Sequence, residues 1–263
     1  MAKKHPTNVV ILPNIRKMFI PDPDHIMIEA DLSGADALVV AREAGDKELE
    51  DDILSGIDLH AKNATDLFGA EFDRLEKSSP LRYQLRQQTK QGVHATNYGA
   101  LARTLAGILG WTVVRADTFQ RTWFSRHPGI YDWHRRTERQ LSEDRTIRNA
   151  FGYRIIYFDR IDGLLPQALA WLPQSTVAET CFQGAMRVEK MCPWANIRSQ
   201  GLLLQVHDSL LMQVHKSIFP SCIPELKKAL HNPVPYSPPL IIPWKISASA
   251  KSWGDVEELR DAA

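Results

Sequence analysis

The chain has 263 residues, enough to bury a substantial core and to hold one or two domains. Its composition is ordinary for a soluble globular protein, with 44% hydrophobic and 24% charged residues, and its formal net charge of only +1 gives no overall signal for nucleic-acid binding. No apolar run approaches the roughly 20 residues that span a bilayer. The basic N-terminus lacks the apolar segment of a secretion signal, and three cysteines without metal-ligand spacing fit reduced thiols. We therefore expect a cytoplasmic protein without membrane contact.

The charges are unevenly distributed along the chain. Residues 81–160 hold fourteen Lys or Arg against six Asp or Glu, whereas residues 22–52 are rich in acids. A basic middle next to an acidic region fits a polyanion that is held partly through cations. A solvated basic face explains the charge alone equally well.

The first regular element is a strand. Residues 25–32 are apolar with β-branched side chains and follow a turn signal rich in proline, so they predict a buried strand that ends near Asp31. Residues 35–45 have helical spacing and stop at Gly45. From about residue 47 to 165 the pattern is mostly helical, with glycines marking the breaks.

The pattern changes after this helical region. Residues 146–159 carry β-branched and aromatic side chains, which are typical of a hairpin or of short strands. Residues 165–191 predict a long helix, and Pro173 predicts a kink or a restart within it.

The C-terminal part returns to strand patterns. Residues 201–214 predict two strands joined by a turn at His207, Asp208 and Ser209, because apolar runs flank a polar tip. A helix over residues 218–231 and a closing strand over residues 240–254 follow. Strands near both ends of the chain, with a helical insertion between them, predict an α+β fold whose core is discontinuous in sequence.

One helix carries a regular stripe of polar side chains. Arg86, Lys90, His94 and Tyr98 recur every four residues and therefore lie on nearly one face. An arginine can fork onto phosphate oxygens, a lysine adds a compact charge one turn later, and a tyrosine ring can meet a base or a sugar. Taken alone, the stripe is better explained as the basic edge of a surface helix.

Two carboxylates lie at the ends of predicted strands. Asp31 ends the first strand, and Asp208 lies in the turn of the later pair. Strand-end carboxylates are suitable ligands for Mg²⁺, which completes its shell with water and substrate phosphates. Two such ions activate a hydroxyl and stabilise a leaving group in nucleotidyl transfer. Each aspartate taken singly is better explained as structural, since aspartates commonly cap turns.

The order of these segments changes that judgement, because it is similar to a known pattern. The chain resembles the polymerase core of family A DNA polymerases, particularly the phage type. Three segments carry the resemblance: motif A from Asp31 to Asp36, motif B from Arg86 to Gly99, and motif C from Val206 to Ser209. The similarity extends from about residue 6 to 259.

The resemblance implies a fold and a reaction. It implies a palm domain, an antiparallel sheet with helices, formed by residues 1–40 and 166–263, with an inserted helical fingers domain at residues 41–165. The expected reaction is template-directed transfer of dNTPs to a primer 3′-hydroxyl by two Mg²⁺ ions, for which Mn²⁺ can substitute. Asp31, Asp208 and the Leu32 carbonyl would hold the metals.

The resemblance also implies roles in substrate binding. Arg86 and Lys90 would bind the triphosphate, with Lys90 also protonating the leaving pyrophosphate. The other nucleotide contacts would come from His60, His94, Tyr98 and Asp36, of which Tyr98 and Asp36 would exclude a 2′-hydroxyl. The primer-template contacts would come from His207, Gln174 and Gly99. For His60 a satisfied helix histidine, and for Gln174 an exposed helix residue, stay open as alternatives.

Several positions depart from the family pattern. Asp36 stands where the family has Glu, Gly34 replaces Gln, His94 stands where Phe or Tyr is usual, and Ser209 replaces the Glu of motif C. We expect activity to survive these changes. The chain also shows no sequence for a thumb or an exonuclease domain, so we expect weak DNA binding that is strengthened by a separate thumb or exonuclease subunit or by self-association.

Two other functions stay open. One is a single-subunit RNA polymerase core, which Ser209 and Thr89 favour slightly and Asp36 opposes. The other is a catalytically silent DNA-binding accessory protein of replication, opposed by the presence of both Asp31 and Asp208. The implied location is the cytoplasm of a bacterium or of a phage-infected cell.

Overall fold

The computed structural model describes residues 13–158 and 163–259, and these form two compact units. The sheet unit consists of residues 13–32, 183–231 and 244–259. The helical unit consists of the described residues within 33–182 and 232–243. The predicted division into palm and fingers at residues 40 and 165 stays a prediction, and it also extends over segments outside the described residues, namely 1–12, 159–162 and 260–263.

Ten helices and seven strands are formed by the described residues. The helices are α1 (Ala35–Ala44), α2 (Lys47–Leu54), α3 (Leu59–Phe68), α4 (Ala70–Asp73), α5 (Pro80–Asn97), α6 (Ala102–Leu109), α7 (Val113–Arg126), α8 (Pro128–Asp144), α9 (Leu165–Met191) and α10 (Phe219–Leu230). The strands are β1 (His25–Leu32), β2 (Thr146–Arg148), β3 (Arg154–Ile156), β4 (Gly201–Val206), β5 (Ser209–His215), β6 (Trp244–Ser249) and β7 (Glu257–Glu258). No helix among them combines the length and the apolar composition needed to cross a bilayer.

The sheet unit contains a five-stranded antiparallel sheet in the order β4-β5-β1-β6-β7. The central strand β1 pairs with β5 and β6, so strands far apart in sequence become neighbours. Apolar side chains of β1 are buried on both faces of the sheet, among them the neighbours Met27 and Ile28, and β5 is buried from Ser209 to Val214. The antiparallel sheet and the predominance of helices confirm the predicted α+β class.

The helical unit has an apolar core supplied by five of its helices. Buried members of one cluster come from α1, α2, α7, α8 and α9, and include Val40, Leu49, Trp123, Ile130 and Leu169. The two strands β2 and β3 form a separate hairpin, as predicted. Burial of these side chains explains why helices with many charged residues still fold, since each has one apolar face.

The structure confirms the predicted long helix over residues 165–191 and shortens the predicted closing strand. The helix α9 continues through Pro173 without a restart, and Pro173 itself is buried beside buried Leu172. Packing of this kind offsets the one backbone hydrogen bond that a proline removes. The closing strand covers only Trp244–Ser249 of the predicted 240–254, because Pro243 has no amide hydrogen to donate and a 3-10 turn follows.

Helices α1 and α8 approach each other closely at a glycine. A Cβ atom added at Gly129 would lie 2.3 Å from the carbonyl oxygen of Ala44. Gly129→Ala is therefore expected to lower the free energy of unfolding by about 2 kcal/mol, because backbone atoms must separate. Gly107 in α6 is the matched control, since a Cβ there meets nothing within 4 Å. Gly107→Ala should be neutral or stabilising by up to about 1 kcal/mol in urea unfolding, and equal effects of the two substitutions would contradict this account.

Candidate functional site

Asp31 and Asp208 come together at one end of the sheet. Asp31 on β1 faces Ser209 on β5 in the strand register. The backbone amide of Leu32 donates a hydrogen bond of 3.0 Å to the carbonyl oxygen of Asp208. The strand pairing thus brings together two carboxylates that are 177 positions apart in the sequence, with the Leu32 backbone next to both.

The protonation equilibrium of Asp31 reflects this crowding. Burial, followed by the negative charges of Asp208 and Glu29, raises the pKa of the Asp31 carboxyl from 3.8 to about 6. The positive charges of Arg16 and Lys245 act in the opposite direction but are outweighed. Negative charge is therefore in excess at Asp31, and a cation bound there would relieve the repulsion.

Three neighbours of Asp31 were missed by the sequence analysis. Glu29 accepts hydrogen bonds from the Trp253 indole at 2.8 Å and from Arg16 at 3.3 Å. Its place two residues before Asp31 on β1 puts both side chains on the same sheet face, a signal that period-two spacing provides. Lys245 stands opposite Asp31 on β6, and nothing in the local sequence indicates this pairing.

The turn that carries Asp208 is tighter than predicted. It consists of His207 and Asp208, while Ser209 already begins β5. His207 adopts a left-handed conformation with φ of 55°, which fixes the direction of the turn. The Ser209 hydroxyl donates to the Val206 carbonyl at 3.0 Å, so this side chain closes the turn. Among the described residues no group of three or more potential ligands forms a metal cluster.

In the helical unit, Arg86 is held by a partner that the sequence analysis did not identify. Its guanidinium Nε and Nη2 donate to the carboxylate of Asp58 at 2.9–3.2 Å. Asp58 also accepts from the Ala61 amide and so caps α3. Hydrogen bonds from Arg86 and Ala61 outweigh burial and lower the pKa of the Asp58 carboxyl. This ion pair fastens α5 to the start of the helix that carries His60.

His60 and Lys90 belong to the same neighbourhood. Burial lowers the pKa of the His60 imidazole, and the positive charges of Lys90 and Arg86 lower it further. The buried Nδ1 atom of His60 has no hydrogen-bond partner among the described residues. This unpaired nitrogen counts against a satisfied helix histidine, and the nucleotide contact of His60 stays a prediction. Lys90 is exposed, and the structure gives its ammonium no ion pair with a described residue.

A second group of predicted residues surrounds Asp36 at the first turn of α1. The Tyr98 hydroxyl donates to Asp36 Oδ1 in a short hydrogen bond, and His94 Nδ1 lies 3.6 Å from Asp36 Oδ2. Gln174, an exposed residue of α9, lies near the Tyr98 hydroxyl, and its side chain acts to lower the pKa of that hydroxyl. Burial and then the Asp36 charge raise the pKa of Tyr98, which therefore stays a donor.

The polar stripe of α5 is thus divided between two groups. Arg86 and Lys90 lie with His60, whereas His94 and Tyr98 lie with Asp36. Tyr98 follows the last helical residue, because α5 ends at Asn97. Gly99 then adopts a left-handed conformation with φ of 73°, and a Cβ there would lie 3.0 Å from Leu169. Gly99 therefore allows the chain to turn closely over α9.

Comparisons with known proteins extend over nearly the whole chain. The model of DNA polymerase family A matches residues 6–255. DNA polymerase I of Rhizobium leguminosarum is 24% identical over 92% of this chain and 24% of its own length. The thermostable DNA polymerase I of Thermus filiformis is 27% identical over 86% of this chain and 27% of its own. The chain thus spans about a quarter of the length of these relatives.

A solved structure has the same fold. It is the polymerase domain of Pol1 from M. smegmatis in complex with DNA primer-template and dNTP. The TM-score is 0.78 at 22% identity, over 91% of this chain and 42% of that chain. The family match and the shared fold confirm the resemblance inferred from motifs A, B and C: the chain belongs to DNA polymerase family A.

Proposed function

We propose that the chain is the catalytic core of a template-directed DNA polymerase, which transfers dNTPs to the 3′-hydroxyl of a DNA primer. The observation that carries the proposal is the pairing of β1 with β5, which brings Asp31 next to Asp208. Family membership supports the same reaction, as does the Pol1 domain, whose structure contains primer-template and dNTP.

The donor set at Asp31 and Asp208 fits divalent metal. Two carboxylates and the Leu32 backbone are oxygen ligands of the kind that Mg²⁺ and Mn²⁺ prefer, and Mg²⁺ keeps several sites for water and phosphates. The raised pKa of Asp31 supports this fit, since the repulsion behind it would be relieved by a cation. Two bound ions would supply Lewis-acid activation of the hydroxyl and charge stabilisation of the leaving pyrophosphate.

The helical unit would bind the incoming nucleotide. Arg86 is held by Asp58 through Nε and Nη2, which leaves the Nη1 hydrogens for a phosphate. Lys90 would add an exposed ammonium and donate a proton to the pyrophosphate. His60, whose lowered pKa keeps it neutral at pH 7, would donate or accept a hydrogen bond and would add no charge.

Three residues would contact the primer-template. His207 at the strand turn would lie at the primer terminus, and Gly99 would allow the template to approach the backbone. Gln174, which is exposed on α9, would contact the duplex. We further propose a cytoplasmic location in a bacterial or phage-infected cell, and a separate thumb or exonuclease partner or self-association that strengthens DNA binding.

Primer extension tests the proposal. The wild type should extend a primer with dNTPs and Mg²⁺, and Asp208→Ala should reduce extension at least about 1000-fold, because a metal ligand is lost. Glu258→Gln, which removes an exposed carboxylate from the same sheet, is the control and should keep full activity. Extension with NTPs in place of dNTPs would favour the RNA polymerase core. Binding of primer-template without any extension would favour the silent accessory protein.

A further inference from the structure

Two histidines lie opposite each other where β1 begins and β5 ends. His25 on β1 is the register partner of His215 on β5, and both side chains are half-buried. Asp31 lies six positions further along the same strand, which is about 20 Å away in an extended chain. A group bound between the two histidines is therefore distinct from the metals proposed at Asp31 and Asp208.

The strand pairing brings the two histidines as close together as an antiparallel ladder allows. The amide of Lys216 donates to the carbonyl oxygen of Asp24 at 2.8 Å, so the neighbouring pair in the ladder is a hydrogen-bonded one. The two kinds of pair alternate, which makes His25 and His215 a non-hydrogen-bonded pair with Cα atoms about 4.5 Å apart. In agreement, the backbone amides of both histidines donate to other groups than each other.

The separation of the two imidazole rings suits a shared metal ion. Their centroids are 5.4 Å apart, with an interplanar angle of 90°. A Zn²⁺ ion at about 2.0–2.1 Å from a ring nitrogen lies about 3.2 Å from the ring centroid, so two imidazoles at a tetrahedral angle have centroids about 5.2 Å apart. The broad terminal torsion of histidine lets each ring turn towards such an ion while the backbone stays in place.

The Nδ1 atoms of both rings have local partners. His25 Nδ1 lies 2.8 Å from the carbonyl oxygen of Pro23, which can only accept, so the hydrogen of the neutral ring is on Nδ1 and Nε2 has a free lone pair. His215 Nδ1 accepts from the Ser217 amide at 3.2 Å and lies 2.7 Å from the Ser217 hydroxyl. Since that hydroxyl can also accept, a metal at Nε2 would move the His215 hydrogen to Nδ1 and leave it with a partner.

We propose that His25 and His215 together bind one divalent transition-metal ion. Neutral imidazole suits Zn²⁺, Ni²⁺ and Cu²⁺, whereas Mg²⁺ prefers oxygen ligands. Two protein ligands leave the other positions of the ion to water. By joining β1 to β5, the ion would stabilise the strand pairing that brings Asp31 next to Asp208. The inference goes beyond the proposed polymerase function and does not depend on it.

Zn²⁺ titration in competition with a chromophoric chelator tests this site, with Mg²⁺ in large excess to occupy carboxylates. We expect the wild type to bind one Zn²⁺ ion whose affinity falls at least tenfold in His25→Gln and in His215→Gln, because either substitution breaks the chelate. His231→Gln, which removes an exposed imidazole from the same unit, is the matched control and should bind Zn²⁺ as the wild type does. If each single variant still binds one ion with unchanged affinity, the two histidines do not share a metal and the inference fails.

Thermal unfolding supplies a second readout. Zn²⁺ at a hundredfold excess over its Kd should raise the thermal midpoint of the wild type by about 5 °C, because the ion binds only where the two strands are paired. The rise should be absent from His25→Gln and His215→Gln, whose midpoints without metal show that both are folded. An equal rise in the wild type and in both variants would overturn the inference, since the ion would then bind elsewhere.

Discussion

Asp31→Asn is expected to abolish nucleotide transfer and at the same time to stabilise the folded chain. The loss of activity should be at least about 1000-fold, because an amide cannot replace the charge of a metal-binding carboxylate. The gain in stability follows from the raised pKa of Asp31, about 6 instead of 3.8. An ionised carboxylate near Asp208 and Glu29 opposes folding, whereas an uncharged amide does not.

The stability effect has a defined dependence on pH. The pKa of Asp31 is higher in the folded chain than in the unfolded chain, so the folded chain binds a proton at Asp31 more tightly. The contribution of this group to stability is therefore present below about pH 4, and it is lost as pH rises through about 6. Allowing for solvent screening at this half-buried site, Asp31→Asn should gain about 1 to 2 kcal/mol at pH 7 and nothing at pH 3.5.

Urea unfolding at several pH values measures the change in stability, and thermal unfolding with and without Mg²⁺ measures binding of the ion. Mg²⁺ should raise the thermal midpoint of the wild type but not that of Asp31→Asn, because only the wild type binds the ion in its folded state. Asp24→Asn is a suitable control, since Asp24 has a left-handed φ of 61° that asparagine tolerates. A substitution at Asp31 that lowers stability at pH 7, or that leaves extension intact, would disprove the assignment.

The local sequence predicted the strand and the turn that carry the two aspartates, but it did not predict that the two would be neighbours. The strand ending at Asp31 and the turn at Asp208 followed from apolar runs and polar tips, and both are present. Their adjacency depends on the pairing of β1 with β5. Local sequence patterns do not predict which of two strands so far apart in the chain will pair. Here the resemblance to family A DNA polymerases predicted that Asp31 and Asp208 act at one site.

The same limit applies to the helical unit. The period of α5 correctly put Arg86 and Lys90 on one face, since helical geometry fixes side-chain direction. The ion pair of Arg86 with Asp58 joins residues 28 positions apart, and it depends on how α3 packs against α5. The contact of His94 with Asp36 likewise joins two helices. Local spacing predicts which side chains share a face, whereas tertiary packing decides what that face meets.

Lys90→Ala is expected to lower kcat/KM for dNTPs by about 100- to 1000-fold. A charged donor that meets developing negative charge contributes about 3 to 4 kcal/mol to the transition state. Asp58 already occupies Nε and Nη2 of Arg86, which leaves only the Nη1 hydrogens for a phosphate, whereas the exposed ammonium of Lys90 has no ion pair with a described residue. Lys77→Ala, which removes an exposed positive charge from the same unit, should leave the KM for dNTPs unchanged under saturating primer-template.

A measurement without substrate tests the placement of Lys90 separately from catalysis. The charge of Lys90 lowers the pKa of the His60 imidazole, so Lys90→Ala should raise this pKa in an NMR titration of the histidine ring. Lys90→Arg keeps the charge and should leave the His60 pKa low, although its different shape should still reduce the rate. A His60 pKa that does not respond to Lys90→Ala would separate the two residues. If the rate still fell, Lys90 would act at a position away from His60, and the two side chains would not bind the same phosphate group.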